Sequence, residues 1–421
     1  MPRFNTLSDW LAWQETLHPH KIDLGLERVA SVADRLQLRQ PDFTVVTVAG
    51  TNGKGSSVAM LESVLLAAGY QTGTYTSPHL QRYNERIRIN GQQIDDLSLC
   101  SAFAAVDSAR GSVSLSYFEF GTLAALQLFK QRSPGIVILE VGLGGRLDAV
   151  NILDSDVALI TSIDIDHSAW LGTDRESIGF EKAGILRAAR PAICSDANPP
   201  DSIENRAREL KANWYCLGAE YCYQRSGASW SWQGVSSSIK ELPLPALAGQ
   251  HQLDNAAGVL MVLEVLADKY PVSREAMAQG LQAVKLDGRC QIFSGAVELV
   301  FDVAHNTASA GRLTRVLRDN PVTGENFLVL GMLDDKDVEQ FTRALEEVID
   351  YWYLVTPGSD RGLPAASLRG RMGCLPADGK VHCFPDTAAA LRQAQSDACS
   401  GDRIVVTGSF VTVAEALESH V

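Results

Sequence analysis

No stretch of this chain is both apolar and uncharged for long enough to suggest a membrane span, and the mean hydropathy of −0.02 agrees. The N-terminal segment MPRFNTLSDWLAWQ carries Asp9 where a secretory signal needs an unbroken apolar core. The eight cysteines are scattered and include no Cys-x-x-Cys pair, so neither a disulfide framework nor a zinc ribbon is indicated. A reduced, cytoplasmic setting is the expectation. Excess positive charge is missing too. A formal net charge of −13 disfavours a broad phosphate-binding surface and makes nucleic acid an unexpected partner, as the missing apolar run does the membrane. Small anionic ligands stay compatible if metal ions and nests of backbone N–H groups offset the repulsion. There is no short internal repeat and no low-complexity tract.

What is present suits a multidomain α/β protein. The 421 residues, 46% of them hydrophobic, suffice for more than one core. Thr44 to Ala49 reads as a buried strand, Gly50 to Gly53 breaks it, and Ser56 to Ala68 has a helical pattern ending at Gly69. Further strands are expected at Gln71 to Thr76, Ile136 to Val141, Val157 to Ile163 and Pro191 to Cys194. Strands separated by helices indicate a parallel sheet covered on both faces. From about Trp214 to Leu247 the texture turns β-like and turn-rich, suggesting a small antiparallel annex. After Asp287-Gly288-Arg289 a new strand series begins at Glu298 to Phe301, Phe327 to Leu330, Trp352 to Val355 and Ile404 to Val406. A first domain over 1–287 and a smaller α/β domain over 288–421 are expected.

The strongest local signal is GTNGKGS at Gly50 to Ser56, between a strand and a helix. Its glycines let backbone N–H groups wrap around phosphate at a helix N-terminus, and Lys54 can neutralise phosphate charge. The spacing is shorter than the common Walker form, and a tight strand–helix turn with an exposed lysine is the plain alternative. Glu140 closes an apolar strand, where a carboxylate can hold a hard cation or simply face solvent. Asp164, Asp166 and His167 together could form a hydrogen-bonded loop, with His167 an ordinary polar turn residue. The glycines at Gly142 to Gly145 fail as a dinucleotide fingerprint, because Leu147 stands where the third glycine belongs. Tyr117 and Phe118 offer flat faces for a heteroaromatic ring, or ordinary core packing. Asn255 could cap a helix, and Asp302 with His305 could form a strand-end network.

Together these segments resemble the folylpolyglutamate synthase and dihydrofolate synthase family of the Mur ligase superfamily. The resemblance runs through GTNGKGS, TSPHL at Thr76 to Leu80, NERI at Asn84 to Ile87 and YFEFGT at Tyr117 to Thr122. It continues with LEVGLGGRLDAVN at Leu139 to Asn151, DHSAWLG at Asp166 to Gly172 and EKAGI at Glu181 to Ile185. GQHQLDNAA at Gly249 to Ala257 and DVAHN at Asp302 to Asn306 complete it. The resemblance implies a P-loop-type Mur-ligase central domain followed by a Rossmann-like α/β domain, with ATP bound between them. It implies two magnesium ions, with Ser77, Glu140 and His167 as ligands and Lys182, carbamylated, for the second. By the same resemblance Gly53, Lys54, Gly55, Ser56, Asn255, Arg289, Asp302 and His305 contact ATP. Ile22, Leu24, Ser116, Tyr117, Phe118, Glu119, Leu147, Asp148 and Ala149 line the pterin-substrate site. Phe180 and Cys290 depart from the residue types more familiar at their positions. Gly408-Ser409-Phe410 is family-like, with no role assigned.

The implied reaction is ATP-dependent ligation of L-glutamate to dihydropteroate and to reduced folates through an acyl phosphate, with Lys54, Glu140, His167 and Lys182 as catalytic residues. A monofunctional folylpolyglutamate synthase, another Mur-type ligase and a noncatalytic nucleotide-binding regulator are the alternatives. No general base for glutamate can be named from the sequence, and a monomer is the default by resemblance.

Overall fold

Thr44–Ala49 forms strand β1, and all six of its residues are buried. Its valines suit a pleated strand covered on both faces. In the computed structural model, which describes residues 2–20, 22–373 and 379–420, seven more strands join it. These are β2 (Thr72–Tyr75), β3 (Ile87–Ile89), β4 (Gln92–Gln93), β5 (Ile136–Glu140), β6 (Val157–Ile160), β7 (Pro191–Cys194) and β8 (Asn213–Cys216). The order across the sheet is β4-β3-β2-β5-β1-β6-β7-β8. From β2 to β8 neighbours run parallel, while β3 and β4 turn back antiparallel at one edge.

Helices cover this sheet. Trp10, on the helix Leu7–Leu17, is fully buried against Phe103 and Phe120, with ring centroids 6.0 and 6.4 Å away. The helix Tyr117–Arg132 begins with a reciprocal cap, in which Ser116 Oγ accepts from Glu119 N–H and Glu119 Oε2 accepts from Ser116 N–H. It buries ten of its sixteen residues, so it lies deep against the sheet rather than on the surface.

The annex differs in extent from its sequence-based expectation. Trp214 lies in β8, a partly exposed strand of the large sheet, and not in the annex. The antiparallel sheet itself is β9 (Cys222–Ser226), β10 (Ser229–Gln233) and β11 (Ser238–Pro243). Trp232 anchors it by donating from Nε1 to the Ala257 carbonyl at 3.2 Å.

Internal contacts divide the chain into Met1–Ala246 with Leu253–Val284, and Leu247–Gln252 with Lys285–Val421. The second unit is built on β12 (Gln291–Phe293), β13 (Glu298–Phe301), β14 (Asn326–Leu330), β15 (Tyr351–Val355), β16 (Val381–Phe384) and β17 (Arg403–Thr407). Their order is β12-β13-β17-β14-β15-β16, with only β12 antiparallel to its neighbour. Leu328, Leu330, Phe341, Trp352 and Val405 form its core. Among the described residues, no helix is long and apolar enough to cross a membrane.

Candidate active site

The turn after β1 is shaped by glycine. Gly53 caps the helix Lys54–Ala67 with φ 97, and a Cβ there would strike Asn255 Oδ1. Asn255 lies inside the helix His251–Val265 and does not cap it; its buried side chain instead reaches the candidate phosphate loop, Gly50 to Ser56. Lys54 folds back on that loop, donating from Nζ to the carbonyls of Gly50 at 2.9 Å and Thr51 at 3.2 Å.

Neighbouring strands deliver the next residues. β2 and β5 pair with Tyr75 opposite Leu139, so Ser77 and Glu140 emerge side by side at their carboxyl ends. The Ser77 N–H donates to Glu140 Oε2 at 3.1 Å, and Glu140 is buried. On the other flank of β1, the loop after β6 crosses the phosphate loop. Thr51 N–H donates to the Ser162 carbonyl at 2.8 Å, and Thr51 Oγ1 donates to the Asp164 carbonyl at 2.9 Å. The same loop carries His167, which sits in a left-handed conformation with φ 52 ahead of the helix Ser168–Leu171.

Lys182 ends the helix Arg175–Lys182 and is buried, with Nζ donating to the Gly50 carbonyl at 2.9 Å. That is one of the two carbonyls Lys54 uses. Burial, reinforced by the Lys54 cation, brings the Lys182 amine down to about 7, while Asp166 and Asp148 pull the other way. Asp148 is itself buried, and burial pushes its carboxyl up to about 6. The N–H groups of Leu143 and Val150, at 2.8 and 3.0 Å, and the Lys54 charge limit that rise. Phosphate loop, strand-end carboxylate and buried lysine therefore form one cluster.

The proposed substrate elements are placed unevenly. Phe118 packs its ring against Gly142 and lies 5.7 Å from the Tyr75 ring. Ser116 and Glu119 spend polar atoms on the helix cap, and Glu119 also pairs with Arg28 at 3.2 Å. Ala149 is buried beside Asp148, Leu147 and Leu24 are half-buried, and Ile22 is exposed. Sequence reasoning gave Arg86 no role, although it lies within NERI. Its guanidinium stands 5.2 Å from the Tyr83 ring centroid and 5.6 Å from that of Tyr117, and Nε donates to His79 Nδ1 at 2.8 Å. Burial and the Arg86 charge push His79 down to about 4. Only the spacing from Arg86 to the aromatic pair, across two separate motifs, could have signalled this.

In the second unit, Asp302 follows β13 and accepts from the N–H of Cys290 at 2.8 Å and of Ala304 at 2.9 Å. His305 Nδ1 lies 2.9 Å from the Val303 carbonyl, and Arg289 stacks on Phe410.

Two family models match this chain: Mur ligase middle domain over residues 48–263, and Mur ligase, glutamate ligase domain over residues 288–410. The chain is 45% identical over 412 residues to the dihydrofolate synthase/folylpolyglutamate synthase of Escherichia coli, covering 98% of this chain and 95% of that protein. A protein of the same name from Mycobacterium tuberculosis is 30% identical over 454 residues, with 96% and 91% covered. The structure of E. coli FolC in complex with DHPP and ADP is similar with a TM-score of 0.93 at 45% identity, over 98% of this chain and 97% of that one. The bifunctional folylpolyglutamate synthase/dihydrofolate synthase from Yersinia pestis, complexed with AMPPNP and Mn ion, gives a TM-score of 0.93 at 45% identity over 100% of both chains. With both Mur ligase domains matched and the likeness running end to end, the chain belongs to the dihydrofolate synthase/folylpolyglutamate synthase family of Mur ligases.

Proposed function

We propose that this chain is an ATP-dependent acid–amino-acid ligase that joins L-glutamate to dihydropteroate, forming dihydrofolate, and to reduced folates, forming polyglutamates. The observation that carries it is the cluster at the carboxyl ends of β2, β5, β1 and β6. There a phosphate loop, a buried Glu140 against Ser77 and a buried Lys182 of depressed basicity occupy one neighbourhood. The relatives named for both activities supply the choice of substrates.

A substrate carboxylate oxygen attacks the γ-phosphorus of ATP, the bond to ADP breaks, and an acyl phosphate results. The amine of glutamate then adds to the acyl carbon, loses a proton, and phosphate leaves to give the amide. Lys54, held at the loop by the Gly50 and Thr51 carbonyls, stabilises charge on the transferred phosphoryl group. Gly53, Gly55 and Ser56 present the helix N-terminus to the phosphates, and Asn255 packs beside them. Arg289, Asp302 and His305 are the contacts to ATP proposed for the second unit. Phe118, Tyr117, Leu147, Asp148 and Ala149 bind the pterin, with Asp148 held in place by the Leu143 and Val150 N–H groups.

The family implies magnesium. Among the described residues, no three His, Cys, Asp or Glu side chains converge into a cage. The buried Glu140 beside Ser77 offers the oxygen ligands magnesium takes together with waters and substrate phosphate oxygens. Ser77, Glu140 and His167 would hold one ion, and it would supply neutralisation of phosphate charge. His167 is the least suited of the three, since magnesium prefers oxygen. The Lys182 amine, neutral in part near pH 7, can attack carbon dioxide and lose a proton to give a carbamate, a hard oxygen ligand for a second ion.

The test gives purified protein ATP, magnesium and glutamate with dihydropteroate in one reaction and tetrahydrofolate in another. ADP release and product mass are followed. Glutamate-dependent turnover of both acceptors is expected. Turnover of one alone reduces the assignment to a single activity, and turnover of neither removes it.

A further inference from the structure

Within the second unit, the exits of β13 and β17 are stitched together. Asp302 N–H donates to the Val406 carbonyl and Gly408 N–H to the Ala304 carbonyl, each at 3.0 Å. Gly408 makes the turn with φ 106, where a Cβ would press on the Gly331 carbonyl. The chain then enters the helix Phe410–His420, so Phe410 stands beside the segment from Asp302 to His305. Its ring receives two neighbours. The Arg289 guanidinium carbon lies 5.1 Å from its centroid, and the His305 ring centroid lies 5.9 Å away at an interplanar angle of 49°. The next residue after Arg289 is also fixed. Cys290 holds a left-handed backbone with φ 45 while its N–H and S–H both donate to Asp302 Oδ2, at 2.8 and 3.2 Å.

A half-buried arginine has many rotamers to lose, and an aromatic face restrains it by attraction to the ring's negative quadrupole. An aliphatic side chain of similar volume packs but exerts no such pull. We infer that Phe410 is a positioning residue for ATP use, its ring holding Arg289, and with it His305, in the orientation that meets the nucleotide. The inference rests on the assignment of Arg289 to ATP made under the proposed function.

Phe410→Leu and Phe410→Met, two nonaromatic variants in case one fails to fold, are compared with Phe410→Tyr. ATP is varied with tetrahydrofolate and glutamate saturating, ADP binding is measured by calorimetry, and melting temperature reports folding. The nonaromatic variants are expected to raise KM for ATP about 5- to 30-fold and to weaken ADP binding to a similar degree. kcat should change less, and Phe410→Tyr should restore both values. Combined with Arg289→Met, Phe410→Leu should add little, because the ring acts through that guanidinium. Additive effects, or an unchanged KM for ATP in a folded nonaromatic variant, overturn the inference alone. A normal KM for ATP in Arg289→Met overturns the assignment of Arg289 and the inference with it.

Discussion

Two amines share one carbonyl in this site, and their contrast shows how position sets chemistry. Lys54 lies on the phosphate loop itself, while Lys182 is buried beneath it and loses basicity through desolvation and the neighbouring cation. Lys54→Ala and Glu140→Ala should each lower turnover on the order of 10²-fold or more while circular dichroism stays unchanged. Near-normal turnover in either folded variant would remove that residue from the catalytic set. For Lys182, a well-resolved crystal structure grown without depleting carbon dioxide should show the three added atoms of a carbamate on Nζ. Clear density for an unmodified amine at full occupancy would contradict it.

At the level of elements, backbone geometry carries the site. Gly53 links β1 to its helix in a conformation that costs other residues about 1–2 kcal/mol, and Asn255 fills the space a Cβ would need. Gly53→Ala should therefore lower the melting temperature and weaken ADP binding together. An unaltered ADP affinity would show that the close approach to Asn255 does not matter. In the second unit, His251 is held down to about 3 by burial first, then by Arg312 and Arg315 on the helix Thr307–Asp319 and by Arg289. Between about pH 3 and 6.5 the unfolded chain binds a proton there that the folded chain does not. This stability is fully present above pH 6.5 and falls, by up to about 1.4 kcal/mol per unit, as pH drops toward 3. Denaturant titrations of His251→Gln should show a shallower acid loss than the parent; parallel curves would refute it.

For the whole molecule, an acidic chain of net charge −13 is proposed to act on ATP and glutamate, which are themselves anionic. Under that proposal, local devices in the first unit offset the repulsion: the loop N–H groups, Lys54 and a divalent cation. Chelation with EDTA should abolish glutamate-dependent ADP release, and added magnesium should restore it. Activity that survives exhaustive chelation would exclude a metal requirement.

Much of this was legible before the fold was known. β1 and β7 occupy the expected residues, and β13 does as well, because short apolar runs bounded by turns carry their own signal. The ordered motifs identified the family, since each preserves local backbone chemistry that a linear string records. Long-range pairing was not legible. β8 is a half-exposed strand whose membership in the large sheet depends on pairing with β7, and β3 and the edge strand β4 are short, with weak patterns. The same holds for side chains. The sequence determined that Arg86, Tyr117 and Phe410 exist, but only tertiary structure set Arg86 against two tyrosines and Arg289 and His305 against Phe410. It also decided which groups titrate abnormally, because desolvation of Lys182, Asp148 and His251 comes from surrounding atoms distant in the chain, and no local pattern encodes it.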